Sequence, residues 1–323
     1  MINFRRVVLD RAVNVLSLFD GCSMGRVALE KAGIPVRWYM ASEIDKYAIQ
    51  VAKRNYPDIH HIGDVTKCER LSTVRGYPEV DIMIGGSPCQ GFSFAGKQLN
   101  FDDPRSKLFF EFVKLKNLLK PKYFLLENVR MKKEYQDIIS EHLGVEPIAI
   151  NSNLVSAQNR YRLYWTNIPY VTQPEDKGIL LKDILEKENP NFKYHKLKKY
   201  YPNKTQKEGC CNQVGEADLK GYDIIKIVYD IDGKAPALTT MQGGHREPKI
   251  ACPDKIHWRK LTLLEMERLQ TLPDGYTDKG VSNTQRYKML GNGFTVDVIA
   301  HILKGILYDD SIIKDYHNWG MHG

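Results

Sequence analysis

The 323-residue sequence predicts an α/β protein: a doubly wound, mostly parallel sheet with a second, smaller and irregular basic domain. In the first half, short apolar runs alternate with amphipathic helical patterns, which is typical of a parallel sheet with crossover helices. From about residue 186, lysine, asparagine, glycine and short strand-like runs replace this alternation. We therefore predict a first domain at residues 1–185, a second at 186–280, and a C-terminal segment, 281–323, that returns to the first.

Each element follows from an apolar run and the turn residues beside it. The predicted strands of the first domain are VNVLSLF (13–19), VRWYMASE (36–43), a short strand ending near HHIGDV (60–65), VDIMIGG (80–86) and YFLLENV (123–129). The predicted helices are MGRVALEKAG, which Gly33 ends as a C-cap, DKYAIQVAKRNY and SKLFFEFVKLKNLLK (106–120). RYRLYWTNI (160–168) alternates like an antiparallel strand. Later we predict a strand-like run at DIIKIVYD (223–230) and helices at LTLLEMERLQ (261–270) and VDVIAHILKGILY (296–308).

The composition is that of a soluble globular protein, with 42% hydrophobic and 27% charged residues. No apolar run approaches the ~18 residues of a membrane span, and Asp10 and Arg11 interrupt the apolar N-terminal stretch, which argues against a signal peptide. We therefore predict a cytoplasmic protein with no membrane partner. Six cysteines without a CxxC pair favour reduced thiols, and we predict no metal site.

The formal charge of +8 biases the partners of this protein towards polyanions. Residues 193–207, KYHKLKKYYPNKTQK, contain six lysines, three tyrosines and no acid. Lysines interleaved with aromatic residues are typical of a surface that faces nucleic-acid phosphates. A solvated lysine-rich segment explains the same run equally well.

Ligands of open α/β sheets bind at the carboxyl ends of the strands. Glu43 lies 22 residues beyond Gly21, where an acid in such folds binds ribose hydroxyls. Helix capping is the alternative for Glu43 and for Asp64, but three successive strand ends with Gly, Glu and Asp favour a nucleoside. The absence of a GxxxxGK[ST] loop argues against a triphosphate. The residues predicted at this edge are Phe19, Asp20, Gly21, Glu43, Asp64, Cys89 and Glu127.

GGSPCQGFS (85–93) holds Cys89 just after a predicted strand. A lone cysteine is more often a buried filler than a reactive group. Here, however, flanking glycines let the backbone approach a ligand closely, and Pro88 stiffens the turn. Glu127 ends the neighbouring strand in LLENV. A cysteine nucleophile, a carboxyl group and a nucleoside cofactor together narrow the range of possible functions.

Six motifs in order resemble those of the DNA (cytosine-5) methyltransferases. The insert resembles that of stand-alone bacterial or phage enzymes, and KLFFEFVKLK resembles the eukaryotic de novo enzymes. The resemblance implies a class I, Rossmann-like methyltransferase domain, S-adenosylmethionine as cofactor, and a target-recognition domain in the basic insert. The motifs, which span residues 14–303, are FDGCSMG, GGSPCQGFS, LLENV, QNRYR, RKLTLLEMERLQTLPDGY and QRYKMLGNGF.

The resemblance implies catalytic roles for four residues. Cys89 would add to cytosine C6, and Glu127 would act at N3. Arg160 and Arg162 alternate at strand period, so we predict both on one face, with Arg162 at the cytosine O2. A stacked base cannot reach such a pocket, so the target cytosine is expected to flip out.

The resemblance also implies binding residues. Phe19 would lie near the adenine, Glu43 would bind the ribose hydroxyls and Asp64 the adenine N6. The family often has Ser where Gly293 stands, which leaves only a backbone contact there. The remaining donor-site residues are Asp20, Gly21, Ile44, Val65, Pro88, Asn292 and Gly293. The DNA-contact residues are Ser87, Gln90, Ser93, Thr239, Thr240, Gln242 and Arg246, although ordinary loop polarity explains Gln242 and Arg246 as well.

We predict methyl transfer to duplex DNA by a monomer on the nucleoid, with a cognate restriction endonuclease as a candidate functional partner. The alternatives are the same chemistry on tRNA, a nucleotide-dependent oxidoreductase and a DNA-binding protein without catalysis. The tRNA branch typically has PPCQ where this chain has SPCQ, which favours DNA. An oxidoreductase would leave Cys89, Glu127 and Arg162 without a role.

Overall fold

A seven-stranded sheet forms the centre of the larger unit. The computed structural model describes residues 12–72, 78–86, 104–202, 209–241 and 243–309. The sheet order is β3-β2-β1-β4-β5-β8-β6, and β8 alone of the central strands runs antiparallel to both its neighbours. Strand bounds are β1 Val13–Leu18, β2 Val36–Ser42, β3 His60–His61, β4 Ile82–Gly85, β5 Tyr123–Val129, β6 Ile148–Asn151, β7 Gln158–Asn159 and β8 Tyr161–Thr166. The predicted doubly wound, mostly parallel sheet is confirmed.

Helices cover both faces of this sheet, which explains why its strands read as continuous apolar runs. All six residues of β1 are buried: Val15 packs into the core on one face, and Leu16 and Leu18 into the core on the other. The helices after the first strands are α1 Met24–Ala32, α2 Lys46–Asn55, α3 Pro104–Leu119, α4 Lys133–Leu143 and α5 Leu181–Ile184. As predicted, Gly33 ends α1 in the left-handed conformation, with φ 76°.

The last helices return to the large core. They are α6 Leu263–Leu269, α7 Asn283–Asn292 and α8 Val296–Leu303, followed by a 3₁₀ helix at Lys304–Tyr308. α8 is buried along most of its length and packs against α1. The stretch Asn283–Tyr308 is long and apolar enough to cross a membrane, but 67% of its most apolar window is buried inside the fold. These helices are therefore core elements of a folded domain.

A small closed barrel forms the second unit. Its strands, in the order β10-β11-β13-β14-β9, surround a core that includes Val214, Val228 and Trp258. Their bounds are β9 His195–Tyr200, β10 Gln213–Ala217, β11 Ile227–Tyr229, β13 Lys249–Ala251 and β14 His257–Lys260, while β12 Ala235–Pro236 pairs with β7 outside the barrel. Only the second half of DIIKIVYD is a strand, because Asp223–Lys226 forms a 3₁₀ helix.

The barrel ends at Lys260, although the sequence predicts a second domain that extends to residue 280. The helix α6, which lies inside that predicted range, contributes Leu263, Met266 and Leu269 to the large core. An amphipathic helix needs an extended apolar surface to cover its apolar face, and the sheet offers more of it than the small barrel. We therefore propose residues 195–260 as the second unit in place of 186–280.

Candidate active site

Glu127 and Arg162 form an ion pair at the end of the sheet. β5 and β8 pair antiparallel with Val129 opposite Arg162 and Glu127 opposite Tyr164, so the two side chains are diagonal neighbours on one face. Arg162 Nε lies 3.0 Å from Glu127 Oε1, and both side chains are largely buried, with 14% and 13% exposed. Arg162 Nη1 also donates to the carbonyl of Tyr161 at 2.9 Å. The pair holds the carboxylate of Glu127 in one orientation.

The second oxygen of Glu127 faces the end of β4. A methyl group placed on Gly86, the residue after β4, would lie 3.3 Å from Glu127 Oε2 and 3.2 Å from Cε1 of Phe294. Glycine thus lets the chain leave β4 in contact with the carboxylate. The predicted nucleophile Cys89 follows shortly after Gly86 but lies outside the described residues, as do Ser87, Pro88, Gln90 and Ser93.

Arg160 and Arg162 bond to different partners: Arg162 pairs with Glu127, whereas Arg160 bonds to backbone carbonyls. Arg160 lies between β7 and β8, two positions before Arg162. It is 3% exposed, and its guanidinium donates to the backbone carbonyls of Leu238, Gly291 and Gly293 at 3.0, 3.1 and 2.9 Å. Its guanidinium therefore joins the segment after β12 to the end of α7.

The carboxylate of Glu43 connects the ends of β1 and β2. Its Oε2 accepts from the backbone N–H of Gly21, and its Oε1 accepts from the N–H groups of Ile44 and Asp45, all at 2.8 Å. Gly21 has φ 60°, and a methyl group on it would meet no atom within 4 Å. Beside it, the Ile44 side chain is 76% exposed. A fixed carboxylate beside open space at Gly21 and an exposed apolar side chain fit a nucleoside with its ribose and base.

Two acids predicted at the donor site have structural partners. Asp20 is 6% exposed and accepts hydrogen bonds from the hydroxyls of Tyr39 and Ser23, so its carboxyl group lies beneath the turn rather than on its surface. Asp64 Oδ1 accepts from the backbone N–H and hydroxyl of Thr66, and these bonds lower the pKa of Asp64. Asp64 thus caps the 3₁₀ helix Val65–Ser72, as the alternative interpretation predicts.

The remaining donor-site predictions are distributed between the surface and the core. Val65 is 5% exposed and packs inside, whereas Phe19, with φ 56°, is half-buried at the strand end. Asn292 is exposed at the end of α7. A methyl group on Gly293 would lie 2.3 Å from Met24 Sδ. The α7 terminus therefore packs closely on the first turn of α1, and a larger residue at position 293 would require the Met24 side chain to move.

The segment after β12, residues 237–246, contains predicted DNA contacts and is called the recognition segment below; it presents polar residues to solvent. Thr239 and Arg246 are exposed and Thr240 is half-buried, while Gln242 lies outside the described residues. Lys249 is 2% exposed, and its ammonium donates to the carbonyls of His245 and Glu247 on either side of Arg246, which braces that loop. Burial lowers the pKa of Lys249 to about 8. The sequence gave no signal for this lysine, which looks like one more surface charge.

Comparisons with known proteins decide the family. The family model for the C-5 cytosine-specific DNA methylases matches residues 13–308, which is most of the chain. The chain belongs to this family. It is 30% identical to the type II methyltransferase M.NlaX of Neisseria lactamica, over 93% of this chain and 98% of that protein. It is 27% identical to the orphan methyltransferase M.SPBetaI of Bacillus phage SPbeta, over 92% and 98%.

Solved structures agree with the fold. The Entamoeba histolytica methyltransferase EhMeth superimposes with a TM-score of 0.71 at 16% identity, covering 94% of this chain and 99% of that one. Spodoptera frugiperda DNMT2 gives a TM-score of 0.66 at 18% identity, covering 92% and 100%. The class I methyltransferase fold predicted from the motifs is confirmed.

This DNA methylase is a DNA (cytosine-5) methyltransferase, and its methyl donor is S-adenosylmethionine. Sequence reasoning missed Gly86, Phe294 and Gly291 as site-forming residues. The only signal for them is their position inside the motifs VDIMIGG and LGNGF. Within the described residues, no group of three or more His, Cys, Asp or Glu could hold a metal ion.

Asp20 of this methylase should make its stability depend on pH. Burial raises the pKa of Asp20 from 3.8 to about 6, so the folded state keeps a proton that the unfolded chain releases between about pH 4 and 6. The contribution of Asp20 to the unfolding free energy should fall by about 3 kcal/mol as pH rises through this window and stay low above it. Asp20→Asn should lack this component.

Urea unfolding of the ligand-free protein and of Asp20→Asn at several values between pH 4 and 7 measures this effect. Other acids titrate equally in both proteins, so the difference between the two curves isolates Asp20. The difference should move in favour of Asp20→Asn by about 3 kcal/mol as pH rises. Parallel curves would show that the carboxyl is ionised throughout.

Proposed function

We propose that this methyltransferase modifies a cytosine swung out of duplex DNA, through a covalent adduct between Cys89 and C6. The observation that carries the proposal is the position of Glu127: Arg162 binds one carboxylate oxygen, and the other lies beside Gly86, at the strand end that leads to Cys89. A carboxyl and a guanidinium group are thereby fixed at one edge of a parallel sheet, where ligands of such folds bind.

Cytosine C5 is a poor nucleophile, and these three side chains address that difficulty. The Cys89 thiolate adds to C6 and forms the S–C6 bond, which moves electrons into the ring and makes C5 nucleophilic. The Glu127 carboxyl donates a proton to N3 as negative charge develops there, and the Arg162 guanidinium stabilises charge at O2. After C5 has gained its methyl group, the N3 proton returns to Glu127, the C5 proton passes to a base and the S–C6 bond breaks, which restores the ring and the thiolate.

S-adenosylmethionine supplies the electrophilic methyl group when it is bound. We propose that Glu43 accepts from the ribose hydroxyls; a carboxylate has about four lone-pair positions, so the three backbone N–H donors leave capacity for one more. Ile44 and Phe19 would contact the adenine, and the second oxygen of Asp64 would accept from its amino group. Gly21, Val65, Pro88, Asn292 and Gly293 would complete the wall, and Asp20 would support the turn from below.

Glu43→Gln should weaken binding of S-adenosylhomocysteine. The amide must direct its NH₂ group at a backbone N–H that the carboxylate now accepts from, so the turn and the ribose contact are both disturbed. Loss of a hydrogen bond from a charged group corresponds to a rise in Kd of about 10- to 100-fold. Isothermal titration calorimetry measures it, and an unchanged Kd would remove Glu43 from the donor site.

We propose that the barrel and the segment after it bind the DNA. Lys196, Lys198 and Lys199 are exposed on β9, which suits contact with phosphates. The proposed contact residues are Thr239, Thr240, Gln242 and Arg246 from the recognition segment, and Ser87, Gln90 and Ser93 from the segment around Cys89. We further propose that the enzyme acts as a monomer on intracellular DNA, with a cognate restriction endonuclease as its functional partner.

Methyl transfer from tritiated S-adenosylmethionine to duplex DNA and to tRNA tests the substrate. Label should enter duplex DNA. Label found only in tRNA would show that the substrate is tRNA rather than DNA. A duplex with 5-fluorocytosine at the methylated site should trap a covalent complex, because fluorine at C5 cannot leave as a proton. Absence of a trapped complex on a confirmed substrate would contradict the adduct.

A further inference from the structure

The buried guanidinium of Arg160 joins two segments that have different proposed ligands. Nη1 donates to the carbonyl of Leu238, which directly precedes the DNA-contact residues Thr239 and Thr240. Nη2 donates to the carbonyls of Gly291 and Gly293, which flank Asn292 at the donor site. These partners are 78, 131 and 133 residues away in the sequence. One side chain therefore holds the recognition segment and the donor edge together.

The two segments touch through their backbones. A methyl group on Gly291 would lie 2.2 Å from the carbonyl oxygen of Thr239 and 2.5 Å from the backbone nitrogen of Thr240. No side chain could fit between them, so a displacement of one segment must displace the other. Backbone contact transmits movement more directly than flexible side chains, because a close-packed interface cannot deform gradually.

Two fully buried glutamines extend the same joint. Gln158 Oε1 accepts from the backbone N–H of Leu238 at 2.8 Å, and its Nε2 donates to Gln270 Oε1 at 3.2 Å. Gln270 Nε2 in turn donates to the carbonyl of Leu290 at 2.6 Å. Both side chains are inaccessible to solvent. Separation of the segments would leave buried polar groups without partners, which strongly favours their moving as one body.

We propose that Arg160 is a positioning residue that couples DNA binding to methyl-donor binding. The inference rests on the function proposed above, since it takes residues 239–240 as DNA contacts and residues 292–293 as donor contacts. A bound donor restricts the motion of the carbonyls of Gly291 and Gly293. Because Arg160 bonds to these carbonyls and to the carbonyl of Leu238, the motion of Leu238 and of the adjacent DNA-contact residues is restricted as well. The donor therefore raises DNA affinity, and by linkage DNA raises donor affinity by the same factor.

Affinity measured with and without the second ligand tests the coupling. The Kd for a duplex containing the methylated site is measured by fluorescence anisotropy, with and without saturating S-adenosylhomocysteine. In the wild type the product should tighten DNA binding by about fivefold or more. In Arg160→Met this ratio should approach one. Arg160→Lys, which keeps a cation but not the planar fork, should give an intermediate ratio.

Two further variants make the result specific. Gly291→Ala forces the same two backbones apart without changing Arg160, and should also lower the coupling ratio. Arg162→Met alters an arginine two positions along the chain that binds Glu127 instead; it should lower kcat and leave the coupling ratio unchanged. Circular dichroism confirms folding of each variant, and if Arg160→Met does not fold, Arg160→Lys and Gly291→Ala decide.

The outcomes separate this inference from the proposed function. A wild type that binds and traps duplex DNA but shows no coupling overturns the inference alone. Folded variants of Arg160 and Gly291 that keep the wild-type ratio overturn it as well. If a variant of Arg160 loses only kcat at saturating ligands, as is expected for Arg162→Met, then Arg160 acts in catalysis rather than in coupling. A wild type that neither binds nor traps duplex DNA would instead refute the proposed function.

Discussion

Cys89→Ser should abolish methyl transfer, with a loss of about 10³-fold or more, while the variant still folds and still binds duplex DNA. The reaction needs a nucleophilic anion at C6, and a serine hydroxyl near neutral pH supplies almost none. Activity of the wild type should fall in acid, as the thiolate becomes protonated, and should be lost on alkylation, with bound DNA protecting the enzyme. Initial rates with tritiated donor and trapping by 5-fluorocytosine duplexes measure these effects.

Cys211 offers a matched control for the thiol. It lies just before β10, and burial raises the pKa of its thiol to about 11, so it stays protonated at neutral pH. Cys211→Ser should therefore keep the wild-type rate and the same pattern of alkylation and DNA protection. If Cys89→Ser methylates DNA at the wild-type rate, the covalent mechanism does not use this residue.

Glu127→Gln should lower kcat by about 10²- to 10⁴-fold, because the amide cannot donate the proton that N3 needs as the adduct forms. The substitution also removes the charged partner 3.0 Å from Arg162 and leaves that largely buried guanidinium without its carboxylate. We therefore expect a small loss of thermal stability beside the large loss of rate. Single-turnover rates at saturating ligands separate chemistry from binding.

A double-mutant cycle tests whether Glu127 and Arg162 act together. If they stabilise one transition state, the combined loss in Glu127→Gln with Arg162→Met should be clearly smaller than the product of the single losses. Glu134→Gln is a suitable control, because Glu134 pairs with Lys132 at 3.7 Å on the exposed surface. It should change neither rate nor stability measurably. A rate of Glu127→Gln within a few fold of wild type would contradict the proposed role.

The predicted elements agree with the structure where local pattern dominates. The strand at residues 13–19 is buried on both faces as β1, and Gly33 ends α1 with a positive φ. Helix α6 shows the limit of this reasoning. LTLLEMERLQ predicts a helix correctly, but its Glu265 and Glu267 are fully buried, where an amphipathic pattern would place apolar residues.

The partners of these acids explain the exception. Glu265 forms two hydrogen bonds with Arg259 on β14, at 2.7 and 2.8 Å, and Glu267 lies 3.2 Å from Arg286 on α7. A buried charge is stable only beside an opposite charge that is also hydrogen-bonded to it. Each ion pair joins α6 to a different element, so the sequence pattern within α6 could not predict that these acids are buried.

The sequence by itself determined the strands β1, β2, β4, β5 and β8, the helices α1, α2, α3, α6 and α8, the family, and the strand ends that hold Glu43 and Glu127. Local periodicity and ordered motifs suffice for these, because they depend on residues close together in the chain. Only the tertiary structure decided that Arg162 faces Glu127 whereas Arg160 binds the carbonyls of residues 238, 291 and 293. The physical reason is that a guanidinium bonds to whichever acceptors folding brings within about 3 Å, and here those acceptors come from distant segments.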